Sequence, residues 1–232
     1  DVSEWSDADT VISYEDGSSV SMKYDERFLY FRIHKPGLRF GQETLVLPID
    51  TTQKTGTTYS EGSGLRFGRA ADFLLVLRGR EDSRLLVQDR YNALNANYSQ
   101  NVTGKDLYAD PPEKDSPRFE TIHMILQTST RVFRDEQQAG AETFETGLLR
   151  YGDANPAHAA FDSLADFCCA GEDIELKLPW QLLNFADPSR MKIHDDYYDG
   201  NYGIEFIPVS RLWVGLGSIG QTERIPMGAY SL

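Results

Sequence analysis

The sequence predicts an all-β protein, an antiparallel β-sandwich with long loops. Three observations carry that expectation. Short apolar runs recur at intervals of roughly ten to fifteen residues, as in sandwiches and barrels. Clusters of Gly, Pro, Asp and Asn separate them, with no sign of strands alternating with helices. In Asp173-Ile174-Glu175-Leu176-Lys177-Leu178 the apolar residues hold every second position and charges hold the others, so one face is core and one is wet. The 232 residues, 40% hydrophobic and 12% aromatic, suffice for a core. Sandwiches of this length run as one unit, so a single domain over 1–232 is expected rather than two small ones.

Element by element, Tyr24-Asp25-Glu26-Arg27 reads as a turn between a strand near Val20 and a strand over 28–33, which Lys35-Pro36-Gly37 ends. In that strand Phe28, Tyr30 and Arg32 alternate with Leu29, Phe31 and Ile33. Both faces carry apolar residues, which predicts a central strand covered on both sides. Further strands fall at 44–49, 73–77, 84–88, 120–127 and 143–150. The 173–178 strand stops at Pro179, and 180–185 reads as a short helix or turn before Asp187-Pro188-Ser189 breaks the chain. Two last strands follow at 203–208 and 211–217. Segments 92–117 and 134–142 read as long surface loops, either binding elements or decoration.

A net charge of -13 and a pI near 4.7 argue against nucleic acid or an anionic membrane surface as partner. Neutral polymers, cations and basic proteins stay open. Apolar runs such as 73–77 and 122–126 are far shorter than the roughly 20 residues of a bilayer span, so direct membrane insertion of this segment is not expected. The start at Asp1, without an initiator Met or signal peptide, reads as the mature or excised part of a longer chain to whose other domains it is tethered. Cys168 and Cys169 are adjacent and read as two reduced, buried small residues, with a vicinal disulfide or thiolate site as the alternative.

Three segments resemble a known family. Trp5 in an Asp-rich lead-in precedes Asp25-Glu26-Arg27-Phe28-Leu29-Tyr30-Phe31-Arg32-Ile33; Leu47-Pro48-Ile49-Asp50-Thr51-Thr52 follows. Late in the chain stands Ile174-Glu175-Leu176-Lys177-Leu178-Pro179-Trp180-Gln181-Leu182-Leu183. Together they are similar to the family-9 carbohydrate-binding modules and the wider DOMON-like sandwiches of jelly-roll type. The resemblance implies a bacterial domain at the cell surface or outside the cell that binds polysaccharide or oligosaccharide without turnover. The sequence departs from that family in its length, in the insert at 92–117, and in Leu164-Ala165-Asp166-Phe167 and Asn184-Phe185-Ala186-Asp187-Pro188-Ser189. Ligand residues therefore do not carry over. Some DOMON relatives bind haem through Met and His; here His123 and Met124 are neighbours on a strand, point to opposite faces, and cannot share one iron.

Sugars are bound by exposed aromatic rings that stack on the pyranose and by planar polar groups that hold its hydroxyls. Period two sends Leu212, Val214 and Leu216 one way and Arg211 and Trp213 the other, so Trp213 and Arg211 are the expected platform. The alternative has Trp213 covering the core under a loop. Tyr197, Tyr198 and Tyr202 are the expected partners, brought beside it by a final hairpin between 203–208 and 211–217. Their loop reads three ways: as a sugar-binding loop, as a calcium site through Asp196, Asp199 and Asn201, or as an ordinary solvated hairpin. Trp180 reads as a core plug and Trp5 as a seal at the sandwich edge. No nucleophile elbow, zinc helix, phosphate loop or dinucleotide fingerprint occurs, so no catalytic residues are assigned and an enzyme is not expected. The alternative function is a structural or protein-interaction sandwich without sugar binding.

Overall fold

The computed structural model describes residues 2–128, 130–131, 138–199 and 205–232, and they form the expected antiparallel sandwich. The first sheet holds β1 (Asp9–Ser13), β2 (Ser19–Tyr24), β3 (Phe28–His34), β15 (Asp173–Pro179) and β14 (Phe167–Ala170), in that order. The alternation in β15 sets its register on β3. Ile174, Leu176 and Leu178 lie opposite Ile33, Phe31 and Leu29, all turned into the core, while Glu175 and Lys177 face outward.

The second sheet runs β21 (Met227–Ser231), β19 (Arg211–Gly215), β4 (Leu45–Asp50), β7 (Phe73–Leu77), β8 (Arg84–Gln88) and β9 (Phe119–Thr121), with β20 (Gly217–Ser218) also pairing β4. Its inner face supplies Leu45, Leu47, Ile49, Phe73, Leu75, Leu77, Leu85, Val87, Leu212 and Val214 to the main core. Its outer face has a second core. The hairpin of β5 (Thr57–Tyr59) and β6 (Arg66–Ala71) puts Phe67 and Ala71, with Leu65 from its turn, against Val46, Leu74, Val76 and Ile225. Every residue of β4 and β7 is consequently buried. The strand covered on both faces is thus not β3, as its composition suggested. Phe28, Tyr30, Arg32 and His34 of β3 remain half-buried on the outer face.

Several further expectations change. The segment 120–127 breaks at Ile122 into β9 and β10 (His123–Gln127). The latter leaves the sheet edge with β13 (Glu142–Glu145) as a two-stranded arm, extended by β11 (Thr130–Arg131) and β12 (Gln138–Ala139). The predicted loop at 134–142 lies outside the described residues up to 137 and ends in β12 and β13. The insert at 92–117 contains α1 (Ala93–Val102), capped by the Asn92 side chain, which accepts from the amides of Leu94 and Asn95. β18 (Phe206–Pro208) pairs with β17 (Lys192–His194), and β17 with β16 (Phe185–Asp187). The last hairpin partner of β19 is instead β21, so β18 and β19 belong to different sheets.

Trp180 is 1% exposed in a 3-10 turn over Trp180–Leu183 and donates its indole N–H to the Asp25 carbonyl at 2.9 Å. Trp5 lies over the outer face of the first sheet rather than at its edge. Its indole donates to Glu175 at 2.9 Å under the Lys23 ammonium. Cys168 and Cys169 are free and half-buried rather than buried; they point to opposite faces of β14, and burial raises both thiol pKa values. Among the described residues no helix is long and apolar enough to cross a membrane.

Candidate functional site

On β19 the period of two holds. Leu212 and Val214 are fully buried and Leu216 nearly so, while Arg211 is exposed and Trp213 half-buried on the outer face of the second sheet. Trp213 has cross-strand neighbours on both sides, Asp50 of β4 and Ala229 of β21. On the β4 side the Arg69 guanidinium of β6 stacks over the indole, 4.0 Å from its centroid. Arg69 is itself held by the Asp50 carboxylate at 2.6 Å. Burial raises the Asp50 pKa against the opposing pull of Arg69. On the β21 side Ala229 is small and exposed, as is Ser231, which lies opposite Arg211. The indole is thus braced by Arg69 on one side, has exposed neighbours on the other, and is itself half-buried.

The acidic tyrosine loop is built differently from its sequence reading. Asp196 is fully buried and takes the Arg90 guanidinium at 2.8 and 2.9 Å on Oδ2 and the Tyr198 amide at 3.0 Å on Oδ1. Arg90 also donates to the Pro112 carbonyl at 2.6 Å. Lys54 and Lys114 pair with Asp195 and Asp199 at 3.1 and 2.7 Å, and Lys114 holds the Asp199 carboxyl below its ordinary range. Tyr197 is a core residue, 1% exposed, against Tyr91 and the His194 ring. It offers no face to a sugar, because the core already covers it. Tyr198 is half-buried between the Arg90 guanidinium and Tyr108. Tyr202 and Asn201 lie outside the described residues.

Asp196 is equally unsuited to calcium, since both its oxygens are engaged and Arg90 already neutralises it. Among the described residues no group of three His, Cys, Asp or Glu side chains is placed to hold a metal. Melting curves in excess calcium and in chelator are therefore expected to coincide. A higher Tm in calcium alone would show a site made with other ligands.

Trp213 and this loop do not form one site through a hairpin. The segment from Asp50 to Gly56 links them instead, with Asp50 on Arg69 at one end and Lys54 on Asp195 near the other. At its centre Asp72, fully buried, accepts from the Thr51 amide and hydroxyl, the Thr52 amide and the Thr55 hydroxyl at 2.6–3.0 Å. Burial and the neighbouring Asp50 charge push its pKa up to about 7 against these hydrogen bonds. Gly56 closes the segment at φ +97°, where a Cβ would sit 2.7 Å from the Ala70 carbonyl oxygen. Its amide donates to Gln88, whose Nε2 donates to the Lys114 and Ser116 carbonyls at 3.0 Å. Beyond that tie lies a polar groove of about 790 Å³, lined by Glu61, Lys105, Asp106, Asp110, Glu113 and Arg118 among others.

Arg69 and Asp72 were the residues that sequence reading passed over. β6 carries Gly68 and two arginines and lacks clean alternation, so nothing marked it as the strand that lays a cation on Trp213. No protein-family model matches this chain, and no curated protein or solved structure matches it.

Proposed function

We propose that this chain is a non-catalytic glycan-binding sandwich, of DOMON-like or family-9-module kind, on an exported bacterial protein. One observation carries the reading: a half-buried indole on an outer sheet face, backed by a guanidinium and flanked by exposed Ala229, Ser231 and Arg211. A ring fixed in this way gives a pyranose a flat apolar surface at little ordering cost, with polar groups at its rim. A stacked ring contributes on the order of 1 kcal/mol beyond area burial, so Trp213→Ala is expected to weaken binding of soluble oligosaccharides several-fold or more. Titration calorimetry reads the affinity and thermal denaturation the folding. Unchanged affinity in a folded variant would remove Trp213 from the site, and an unfolded variant would make it a structural residue.

A second reading, as a protein-interaction domain, is favoured by the arm. Met124, Leu126 and Phe144 are 50, 59 and 59% exposed, and Met124 pairs directly with Phe144 across the arm's two strands. Such contiguous apolar exposure marks interaction surfaces. Under this reading no oligosaccharide binds and Trp213→Ala changes nothing.

A further inference from the structure

We infer that the Trp213 platform takes an acidic saccharide, with a carboxylate or sulfate beside the stacked ring held by Arg211 at one end of a strip of arginines. The inference rests on the reading of Trp213 as a glycan platform and narrows its ligand class.

The chain as a whole carries a net charge of -13, yet several arginines gather on the segments beside Trp213. Arg66 and Arg224 flank one backbone contact, in which the Ile225 amide donates to the Arg66 carbonyl at 2.8 Å. The Gly68 amide then donates to the Ile225 carbonyl at 2.8 Å, and β6 continues to Arg69 over the indole. Arg211 follows on β19, two residues before Trp213 and on the same face. The acidic residues of this strip are Asp50, which Arg69 occupies, and exposed Glu223. Arg66 lies over the Tyr59 ring, while Arg211 and Arg224 are exposed and have no carboxylate partner among the described residues.

Residues two apart on a strand are separated by roughly 7 Å. A pyranose stacked on the indole carries its ring substituents a few ångströms toward one edge. Arg211, opposite Ser231 and exposed, carries a side chain long enough to span the remainder. A guanidinium is a planar fork that matches a carboxylate or sulfate with two parallel hydrogen bonds, whereas single hydroxyls do not use that geometry. Uncharged Ala229 and Ser231 offer no repulsion there. An anionic saccharide would thus meet, beside the stacked ring, exposed guanidiniums without carboxylate partners among the described residues, which favour it locally against the acidic net charge.

The test titrates wild type, Arg211→Gln, Arg211→Lys and Trp213→Ala, at physiological ionic strength, with matched pairs of oligosaccharides. Oligogalacturonate and hyaluronan fragments are each paired with their carboxyl-reduced forms, and a sulfated galactan oligosaccharide with its desulfated form. The expected result is that at least one acidic member binds tenfold or more tightly than its neutral twin. Arg211→Gln should abolish that margin, Arg211→Lys should keep part of it, and Trp213→Ala should weaken both twins. The margin's appearance with the carboxylates or with the sulfate identifies the anion. If twins bind alike, or the margin survives Arg211→Gln, the acidic preference is wrong while the effect of Trp213→Ala still upholds the platform. If no member of any pair binds, the platform reading fails and the preference with it.

Discussion

Leu176→Asp is expected to leave the chain largely unfolded at room temperature, while Glu175→Ala one residue away keeps it folded. Leu176 is 3% exposed in the main core, opposite Phe31 on one side and Phe167 on the other. An aspartate there loses about 2–3 kcal/mol of apolar burial. It also buries a carboxylate with no partner, which costs several kcal/mol more or forces the group to protonate. Domains of this size hold roughly 5–15 kcal/mol in total, so the sum removes most of it. Glu175 points outward and accepts the Trp5 indole N–H, so its loss is expected to cost about 1 kcal/mol. Thermal denaturation ranks the two variants. The reverse ranking would mean that β15 sits one residue out of the register described above.

Asp72→Ala has the next largest expected effect. Four donors from Thr51, Thr52 and Thr55 converge on its carboxylate, and Thr51, Thr52 and Thr55 are all buried. Removing the acceptor leaves at least the two backbone amides without one, at about 1–3 kcal/mol each. A loss of about 3–4 kcal/mol follows, with loosening of the segment between Asp50 and Gly56. Asp72→Asn keeps an acceptor where three of the donors converge and should cost about half as much. Folding raises the Asp72 pKa from 3.8 to about 7, so the fold favours the protonated form. Its contribution to stability is therefore fullest below about pH 4 and declines as pH rises toward 7. Urea denaturation across that window should show the Asn variant losing less stability with rising pH than wild type does. A parallel decline in both would place the pH dependence on other groups.

The elements that could be read from the sequence are those whose side chains alone decide their environment. β15 alternates strictly and β19 does so from Arg211 to Val214, and burial follows that alternation. Trp180 after Pro179 is the core plug that its position suggested. What could not be read depended on partners distant in the chain. β4 and β7 are buried on both faces because the β5–β6 hairpin folds over them, and that hairpin has no distinctive pattern of its own. β3 looked equally covered because Phe28 and Tyr30 are aromatic, yet the Lys177 ammonium lies over the Phe28 ring and the Tyr30 hydroxyl donates to Asp25. Aromatic composition alone does not separate a ring in the core from one beneath a cation. The same ambiguity misplaced Tyr197 and Asp196. Trp213 and Arg211 face outward as their phase required. Tyr197 and Asp196, which look like loop residues of a binding site, are drawn inward by Tyr91 and Arg90, more than 100 residues earlier.

The most direct measurement of the central claim follows the indole N–H signals by two-dimensional NMR as an oligosaccharide is added. The chain has three tryptophans, and they differ sharply in surroundings: Trp180 is buried, Trp5 is tied to Glu175, and Trp213 is half-buried beside exposed Ala229. Stacking on the proposed platform predicts a saturable shift of the Trp213 signal, assigned by its absence in Trp213→Ala, with Trp180 unmoved. A bound oligosaccharide that shifts Trp5 or Trp180 and leaves Trp213 in place would contradict the account.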